Sequence, residues 1–206
     1  ITVSSDKKGR SKSINRFWTV TNDFVNLIGM WLGDGCIRKE HGKPIGLIFT
    51  VHNVNKDEIN YIEKICRDVF GRTPTYSYNK ENTVSQIAIN SGLIGHIFME
   101  LFGSGFAGKK LPDMVFGWSR NLIDNLMAGL ITTDGHITKN CNITLSLSNQ
   151  TLMTQLYHLC RNNGMDVSFV KYKIQEGQTT NSYSMSIPLK KEILSRTHKY
   201  YTDDRV

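Results

Sequence analysis

The sequence lacks the features of membrane, secreted and zinc-binding proteins. It contains no apolar run near the roughly 18 residues that a membrane-spanning helix needs, and no signal peptide is visible. Its four cysteines never fall at Cys-x-x-Cys spacing, which argues against a zinc knuckle, and the histidines do not lie at ligand spacing from them. We therefore expect an intracellular protein with reduced thiols, in the cytoplasm, nucleoid or nucleus according to its host.

Acidic residues are outnumbered by basic ones. Lysine and arginine total 25 against 18 acidic residues, so the formal net charge is +7 and the isoelectric point is about 9.2. A polyanionic partner fits this balance, but many proteins that bind no nucleic acid are equally basic. A chain of 206 residues can bury an apolar core in one compact domain or in two small ones.

Two nine-residue segments repeat each other at a spacing of 100 residues, and each ends in aspartate and glycine: Leu27–Gly35 and Met127–Gly135. In each, an apolar run that predicts a helix brings one carboxylate, Asp34 or Asp134, to the end of that helix. A single Asp-Gly pair after a helix is ordinary turn chemistry. Two copies behind the same apolar pattern favour a duplicated unit that places two acids together.

The segments after the two motifs predict the same succession of elements. In the first half, strands are predicted within 36–52 and near 73–79 and 84–90, with helices starting near Asn55 and near Leu93. In the second half, strands are predicted near 135–139, 142–148, 167–174 and 182–187, with a helix near 150–163. We therefore expect a basic arm or linker at 1–20, then two halves related by a pseudo-dyad, at 21–118 and 119–206.

Small residues spaced four apart lie in both motif helices: Gly29 and Gly33 in the first, Gly129 and Thr133 in the second. This spacing makes a smooth face on which a partner backbone can approach closely. If the two faces pack together, Asp34 and Asp134 become neighbours, and a divalent cation between them would relieve their repulsion. A cation at such a place can activate water and stabilise the leaving oxygen of a phosphodiester.

With these motifs the chain resembles the LAGLIDADG homing endonucleases, in their single-chain form with two motif copies. The first motif keeps Leu27, Gly29, Asp34 and Gly35, and the second departs from the family's namesake at Met127, Thr132 and Thr133. The ending Gly33-Asp34-Gly35 is similar to that of members carried by inteins. The segment Lys109-Lys110-Leu111-Pro112 resembles the Lys-x-Ile/Leu-Pro block that precedes the second motif in intein endonucleases.

The resemblance implies an α+β fold of two αββαββα halves, whose two antiparallel, saddle-shaped sheets lie over DNA. It implies a monomer that makes Mg²⁺-dependent (or Mn²⁺-dependent) double-strand cuts at a long asymmetric site in double-stranded DNA. Asp34 and Asp134 take the places of the metal-binding catalytic acids, with Gly33 and Thr133 beside them in the metal site. Lys109 matches the position at which family members use a lysine to polarise water or to stabilise charge in the transition state.

The corresponding catalytic lysine of the second half is harder to assign. Lys199 is the first choice and Lys190 the second, because the segment after the last predicted strand is short and diverges from the family. For each of these two lysines, an ordinary solvated position at the surface is as good an interpretation as a catalytic role. Lys110, next to Lys109, carries the same ambiguity.

DNA recognition would fall to polar side chains on one face of each sheet. Arginine, lysine and glutamine can reach base edges, whereas lysine and serine also bind phosphates, so affinity should fall steeply with salt. The candidates in the first half are Arg38, Lys39, Lys43, Tyr76, Tyr78 and Gln86. Those in the second half are Lys139, Thr144, Ser146, Lys171, Lys173 and Gln175.

The two ends of the sequence suggest a nested origin. The chain opens on Ile1 rather than Met, and Thr202–Val206 looks like the run-in to the last splicing block of inteins. It carries neither a splicing nucleophile at position 1 nor a terminal His-Asn pair, so it cannot splice as written. We expect the endonuclease region of an intein, fused to splicing segments. The alternative is a non-cleaving module on the same scaffold, an intron RNA maturase or a DNA-binding regulator, but retention of both acids favours the enzyme.

Overall fold

A computed structural model describes residues 2–5, 11–52, 55–78, 84–138, 142–172, 181–188, 193 and 195–197. Over these residues the chain has an α+β fold that contains two four-stranded antiparallel sheets. The predicted final helix of the second half falls mainly outside the described residues, as do Lys139, Lys173, Gln175, Lys190 and Lys199.

The basic N-terminal arm contains a short ladder that its polar composition did not predict. Strand β1 (Thr2–Ser5) pairs antiparallel with β2 (Ser11–Ser13). Helix α1 starts after Thr21, whose hydroxyl accepts a hydrogen bond from the backbone N–H of Phe24 and so caps the helix.

The first half follows the predicted order of elements. They are α1 (Asn22–Asp34), β3 (Gly35–Glu40), β4 (Lys43–His52), α2 (Lys56–Phe70), β5 (Thr75–Tyr78), β6 (Val84–Ile89) and α3 (Gly92–Phe102). The strands form an antiparallel sheet in the order β3-β4-β6-β5. Helix α2 starts directly after Asn55, as predicted, and the Asn55 side chain donates to Glu58 rather than accepting from a backbone N–H.

The second half repeats this arrangement after a connection that the sequence patterns did not predict as helical. The connection holds α4 (Gly105–Gly108) and a 3₁₀ helix (Asp113–Gly117). The second half then contains α5 (Arg120–Asp134), β7 (Gly135–Ile137), β8 (Asn142–Leu147), α6 (Gln150–Asn162), β9 (Ser168–Tyr172) and β10 (Ser182–Pro188). Its sheet order, β7-β8-β10-β9, matches that of the first half strand for strand, which confirms the predicted duplication.

The two motif helices α1 and α5 pack against each other at the centre of the molecule. Every residue of α1 from Phe24 to Leu32 is buried. A methyl group on Gly29 would clash with the carbonyl oxygen of Leu126, and one on Gly129 would lie 2.8 Å from the backbone nitrogen of Met30. The backbones therefore touch directly, as the spacing of small residues predicted. None of the described helices is long and apolar enough to cross a bilayer.

Each sheet has one covered face and one more polar face. In β4 and β6 the buried residues Leu47, Phe49 and Ile87 share the covered face, since Phe49 pairs with Ile87 across the strands. Alternate positions form the polar face of the first sheet: Cys36, Arg38, Thr50, Thr75, Ser77 and Gln86. The polar face of the second sheet carries His136, Thr144, Ser146, Ser168, Tyr172, Ser182, Ser184 and Ser186.

Replacing Gly29 tests the contact between α1 and α5. Because an added methyl would force the helices apart, we expect Gly29→Ala to lower the free energy of unfolding by about 1–3 kcal/mol. Denaturant titration measures this change. The matched control is Gly117→Ala in the 3₁₀ helix, where a Cβ would meet nothing within 4 Å. Equal stability of the two variants would contradict the direct backbone contact.

Candidate active site

The two predicted acids meet in one open cleft. Asp34 and Asp134 are the last residues of α1 and α5, and both line a cleft of about 370 Å³. Asp34 is exposed, whereas Asp134 is half-buried. The predicted docking of the motif helices therefore does bring the two carboxylates to one place.

The glycine after each acid is explained by space rather than by backbone angle. Gly35 and Gly135 both have φ of −85°, which any residue adopts. A Cβ at Gly35 would lie 2.6 Å from the carbonyl oxygen of Trp31, and one at Gly135 would lie 2.6 Å from that of Ile131. The N–H of each glycine donates to that same carbonyl, so the chain turns tightly from helix into strand.

The ends of the two helices fit together asymmetrically. Gly33 in the first half faces Thr133 in the second, and a Cβ on Gly33 would lie 2.9 Å from Cβ of Thr133 and clash with the Asp134 carboxylate. The Thr133 hydroxyl donates to the carbonyl of Leu130 at 3.0 Å and lies 3.3 Å from Oδ2 of Asp134. The Asp134 carboxylate is thus confined between its own threonine and the backbone of the other half.

Lys109 is buried beside the acids, with 6% of its surface exposed. Its Nζ donates to three consecutive carbonyls at the end of α1, at 3.0, 2.8 and 2.8 Å: those of Trp31, Leu32 and Gly33. Burial lowers the pKa of Lys109 to about 8, and the negative charges of Asp134 and Asp34 act in the opposite direction. The ammonium also lies 5.1 Å from the centre of the Trp31 ring.

The donor set fits a cation that a bound phosphodiester helps to coordinate. Among the described residues, no group of three or more His, Cys, Asp or Glu could hold a metal ion by itself. Mg²⁺ is commonly bound by one or two carboxylates together with water and substrate phosphates, and Asp34 and Asp134 supply that number. The carbonyl of Gly33 accepts from Lys109, and the Thr133 hydroxyl donates to a backbone carbonyl. A carbonyl and a hydroxyl oxygen each have two lone pairs, so these bonds leave Gly33 and Thr133 as predicted neighbours of the cation.

Four of the predicted DNA-contacting residues lie on the polar faces: Arg38, Gln86, Thr144 and Ser146. Arg38 donates to Asn90 at 2.7 Å, and Asn90 in turn donates to Thr75 at 2.9 Å, which fixes the guanidinium. Cys36 from the first polar face and Ser146 from the second both line the cleft of the two acids. The two polar faces therefore border the same cleft.

Lys39 and Lys43 lie at the outer end of the β3–β4 hairpin, and both are exposed. The strand register shifts between Arg38 and Lys39, so Lys39 leaves the alternation of β3. Its Nζ lies 3.4 Å from the hydroxyl of Ser104 in the connection between the halves.

Tyr76 and Lys171 do not lie on the polar faces, which corrects the prediction for both. Tyr76 pairs with Ile87 on the covered face, and its hydroxyl bonds to Glu63 of α2. Tyr78 shares the register of Tyr76, because its backbone pairs with that of the buried Ser85. Lys171 pairs with Tyr183, and its Nζ lies 5.8 Å from the centre of that ring.

The two wrong assignments have different causes. In Ser-Phe-Val-Lys-Tyr at 168–172 apolar and polar residues do not alternate, so the inward-facing positions could not be chosen from the sequence. In Thr-Tyr-Ser-Tyr at 75–78 the tyrosines do alternate with small polar residues, but the prediction counted them as polar side chains, whereas Tyr76 faces the covered side. A signal was present for the residues that the prediction missed. Residues 182–187 read Ser-Tyr-Ser-Met-Ser-Ile, and this strict alternation places Ser182, Ser184 and Ser186 on the polar face.

Comparison with known proteins finds a family match over part of the chain. Residues 119–200 match the family model described as homing endonuclease. The chain is 28% identical over 203 residues to an uncharacterised protein of Methanocaldococcus jannaschii, and the match covers 87% of this chain and 21% of that protein. It is 23% identical over 163 residues to a DNA polymerase of Thermococcus sp. (strain GE8), covering 78% of this chain and 9% of the polymerase. The chain thus spans only a small part of the curated relatives that it matches.

Solved structures share the fold. The homing endonuclease I-DmoI, in complex with DNA and Mn, superposes with a TM-score of 0.60 at 14% identity, over 90% of this chain and 99% of that one. The homing endonuclease I-WcaI, bound to its DNA recognition sequence, gives a TM-score of 0.56 at 18% identity, over 90% of this chain and 86% of that one. The predicted fold is therefore confirmed.

Neutralising one acid tests the paired-carboxylate site through metal binding. Since a cation that binds only the folded protein raises its stability, saturating Mn²⁺ should raise the melting temperature of the wild-type protein above its value in chelator. We expect Asp134→Asn to lose most of this increase, because one of the two carboxylates is gone. Differential scanning calorimetry measures both states. The control is Asp113→Asn, which removes an exposed acid of the 3₁₀ helix and should keep the full increase. The same increase in Asp134→Asn as in the wild type would contradict the site.

Proposed function

We propose that this chain is a LAGLIDADG-type homing endonuclease that cuts both strands of DNA at a specific site, with Asp34 and Asp134 as its metal-binding catalytic acids. The observation that carries the proposal is that two carboxylates from two packed helices line one cleft, which the polar faces of both sheets border. The family match over residues 119–200 supports it. A generic α+β domain with a basic surface would leave the duplicated acids unexplained.

The substrate follows from the surface around the cleft. I-DmoI was solved in complex with DNA and I-WcaI bound to its DNA recognition sequence, and this chain shares their fold. Arg38, Gln86, Thr144 and Ser146 are the described side chains that we assign to DNA contacts on the polar faces. Lys39 and Lys43 extend this surface in the first half, and Lys139, Lys173 and Gln175 stay assigned to it from the sequence. Because the two sheets carry different side chains, the target is asymmetric. We also propose that the target is long and that a monomer binds it.

The cofactor is Mg²⁺ or Mn²⁺. Crystal structures of I-DmoI on DNA were obtained with Mn, with Ca and in the presence of Mg. The chemistry that a bound divalent cation supplies at such a site is activation of water and stabilisation of the leaving oxygen of a phosphodiester. The chain itself contributes the carboxylate of Asp34, exposed to the cleft, and that of Asp134, confined beside Thr133. Lys199 stays the candidate lysine of the second half.

We further infer that the chain is the endonuclease region of an intein. The support is the Lys109–Pro112 block together with matches to DNA polymerases of which the chain covers only 9%. A match that is confined to a short segment of a much longer enzyme is typical of an element inserted into that enzyme. Splicing blocks on both sides in the host gene would establish the insertion, and their absence would indicate a free-standing or intron-encoded enzyme.

The cleavage assay tests the proposed reaction. DNA that carries the uninterrupted host sequence is incubated with protein and Mg²⁺, and double-strand cuts are scored on a gel. We expect the wild-type protein to cut, and Asp34→Asn and Asp134→Asn to lose at least about 100-fold in rate, since loss of a metal ligand exceeds the usual effect of residues that only orient ligands. Asp113→Asn is the control.

Two outcomes would contradict the proposal. Tight binding with intact DNA would instead favour the non-cleaving module, a maturase or a regulator. Cutting that survives both substitutions would mean that the acids are misassigned.

Two strand cations on opposite faces provide a matched test of the DNA surface. Arg38 lies on a polar face and Lys171 on a covered face, and both are exposed. We expect Arg38→Ala to weaken specific binding by about 1–3 kcal/mol, the size of a contact to a base edge. Lys171→Ala, with the same change in net charge, should leave affinity within about twofold because few phosphates approach that face. Fluorescence anisotropy with Ca²⁺, at several salt concentrations, measures both. Equal losses would contradict the assignment of the faces.

A further inference from the structure

The three N–H donors of the Lys109 ammonium all bond to carbonyl groups of the protein. A lysine has three N–H donors, and here three backbone carbonyls lie within 3.0 Å of Nζ. The last carbonyls of a helix lack partners within the helix, and α1 has no basic residue in its own last turn. Lys109 therefore supplies the cation that caps α1, immediately before Asp34.

The backbone of the same segment is bonded to the second half. Asn149 donates to the carbonyl of Lys109 at 2.7 Å, while its Oδ1 accepts from Leu152 and caps α6. Gln155 of α6 accepts from the N–H of Leu111 at 2.8 Å and donates to its carbonyl at 3.1 Å. Two side chains around the start of one helix thus fix residues 109–111 by three hydrogen bonds.

The segment is also anchored to the end of α3 in the first half. The N–H of Lys110 donates to the carbonyl of Phe102 at 2.9 Å. Gly103, with φ of 76°, turns the chain so that its α-carbon approaches the carbonyl of Gly108, where any side chain would clash. Residues 109–111 are therefore held between α3, α6 and the end of α1. We call these three residues the strap.

The geometry points to Lys109 as a positioning residue: the strap ties α6 of the second half to the end of α1, and so sets where Asp34 stands relative to Asp134. This inference rests on the proposed nuclease function for its kinetic consequence. It adds a positioning role to the one in water polarisation that the family resemblance implied for Lys109, because three carbonyls of α1 accept from its ammonium. The strap acts on the reaction through the placement of Asp34, and the charge of Lys109 adds an electrostatic effect on both carboxylates.

Gln155 offers a way to disturb the strap from outside the cleft, because it is absent from the residues that line it. Gln155→Met keeps the length of the side chain and removes both bonds to Leu111. The matched control is Gln150→Met on the same helix, which loses a bond to Tyr183 and none to the strap. Lys109→Met removes the cap itself.

Single-turnover cleavage of these variants and of the double variant Lys109→Met/Gln155→Met forms a double-mutant cycle. We expect Gln155→Met to lower the rate about 10-fold and Lys109→Met by about 100-fold or more, since small misplacements of reacting groups have effects of this size. The double variant should be no slower than Lys109→Met, because both changes release the same helix end. DNA affinity in Ca²⁺ should stay at the wild-type value, as should the rate of Gln150→Met. Multiplied losses, or a wild-type rate for Gln155→Met, would overturn the inference.

Hydrogen–deuterium exchange provides a readout that does not depend on activity. The N–H of Gly35 donates to the carbonyl of Trp31, which Lys109 also contacts. We expect faster exchange of the amides at 33–36 in both Lys109→Met and Gln155→Met, with the amides of α2 unchanged. Unchanged exchange at 33–36 in Lys109→Met would overturn the strap even if the wild-type protein cuts DNA. A wild-type protein that cuts nothing, but shows this local loss of protection, would refute the nuclease and leave the strap in place.

Discussion

The backbone contact between α1 and α5 determines where the functional groups of this protein lie. Helices usually meet through side chains, which keep their axes well apart. Here Gly29 and Gly129 remove those side chains, and each backbone reaches the other. Both helices end beside the same cleft, so their last residues, Asp34 and Asp134, lie there together. Strands β3 and β7 start at the residue after each acid, so the helix contact also sets where each sheet begins.

The charges around the cleft balance one another only in part. Two carboxylates and one buried ammonium lie close enough to influence each other, as the effect of both acids on the pKa of Lys109 indicates. Burying an ammonium is costly unless it is hydrogen-bonded, and three carbonyls provide those bonds. The remaining negative charge suits a divalent cation, and the basic balance of the chain suits a phosphate backbone.

The sequence predicted the fold in outline because its signals were duplicated. The motif helices and the strands around Leu47 and Leu145 follow from apolar periodicity, which burial enforces. The same periodicity in 182–187 indicates the face of its serines, but the prediction did not use it. Lys171 was placed on the wrong face because its strand has no such periodicity, and Tyr76 because a tyrosine was counted as polar although it alternates with Thr75 and Ser77. The cap that Lys109 forms on α1 could not be predicted, since it joins residues 76 to 78 positions apart in the chain. Contacts at that distance depend on how the halves dock, which no local pattern encodes.

The unequal pair Gly33 and Thr133 limits how the two halves can ever be recombined. A side chain larger than hydrogen at position 33 would collide with Thr133 and with the neighbouring carboxylate, so two copies of the second half cannot associate in this way. Two copies of the first half would instead bring glycine against glycine and leave the space of a threonine side chain unfilled. At this contact the two halves are therefore complementary rather than interchangeable, and a dimer of two identical halves would have to repack the helix ends beside its acids.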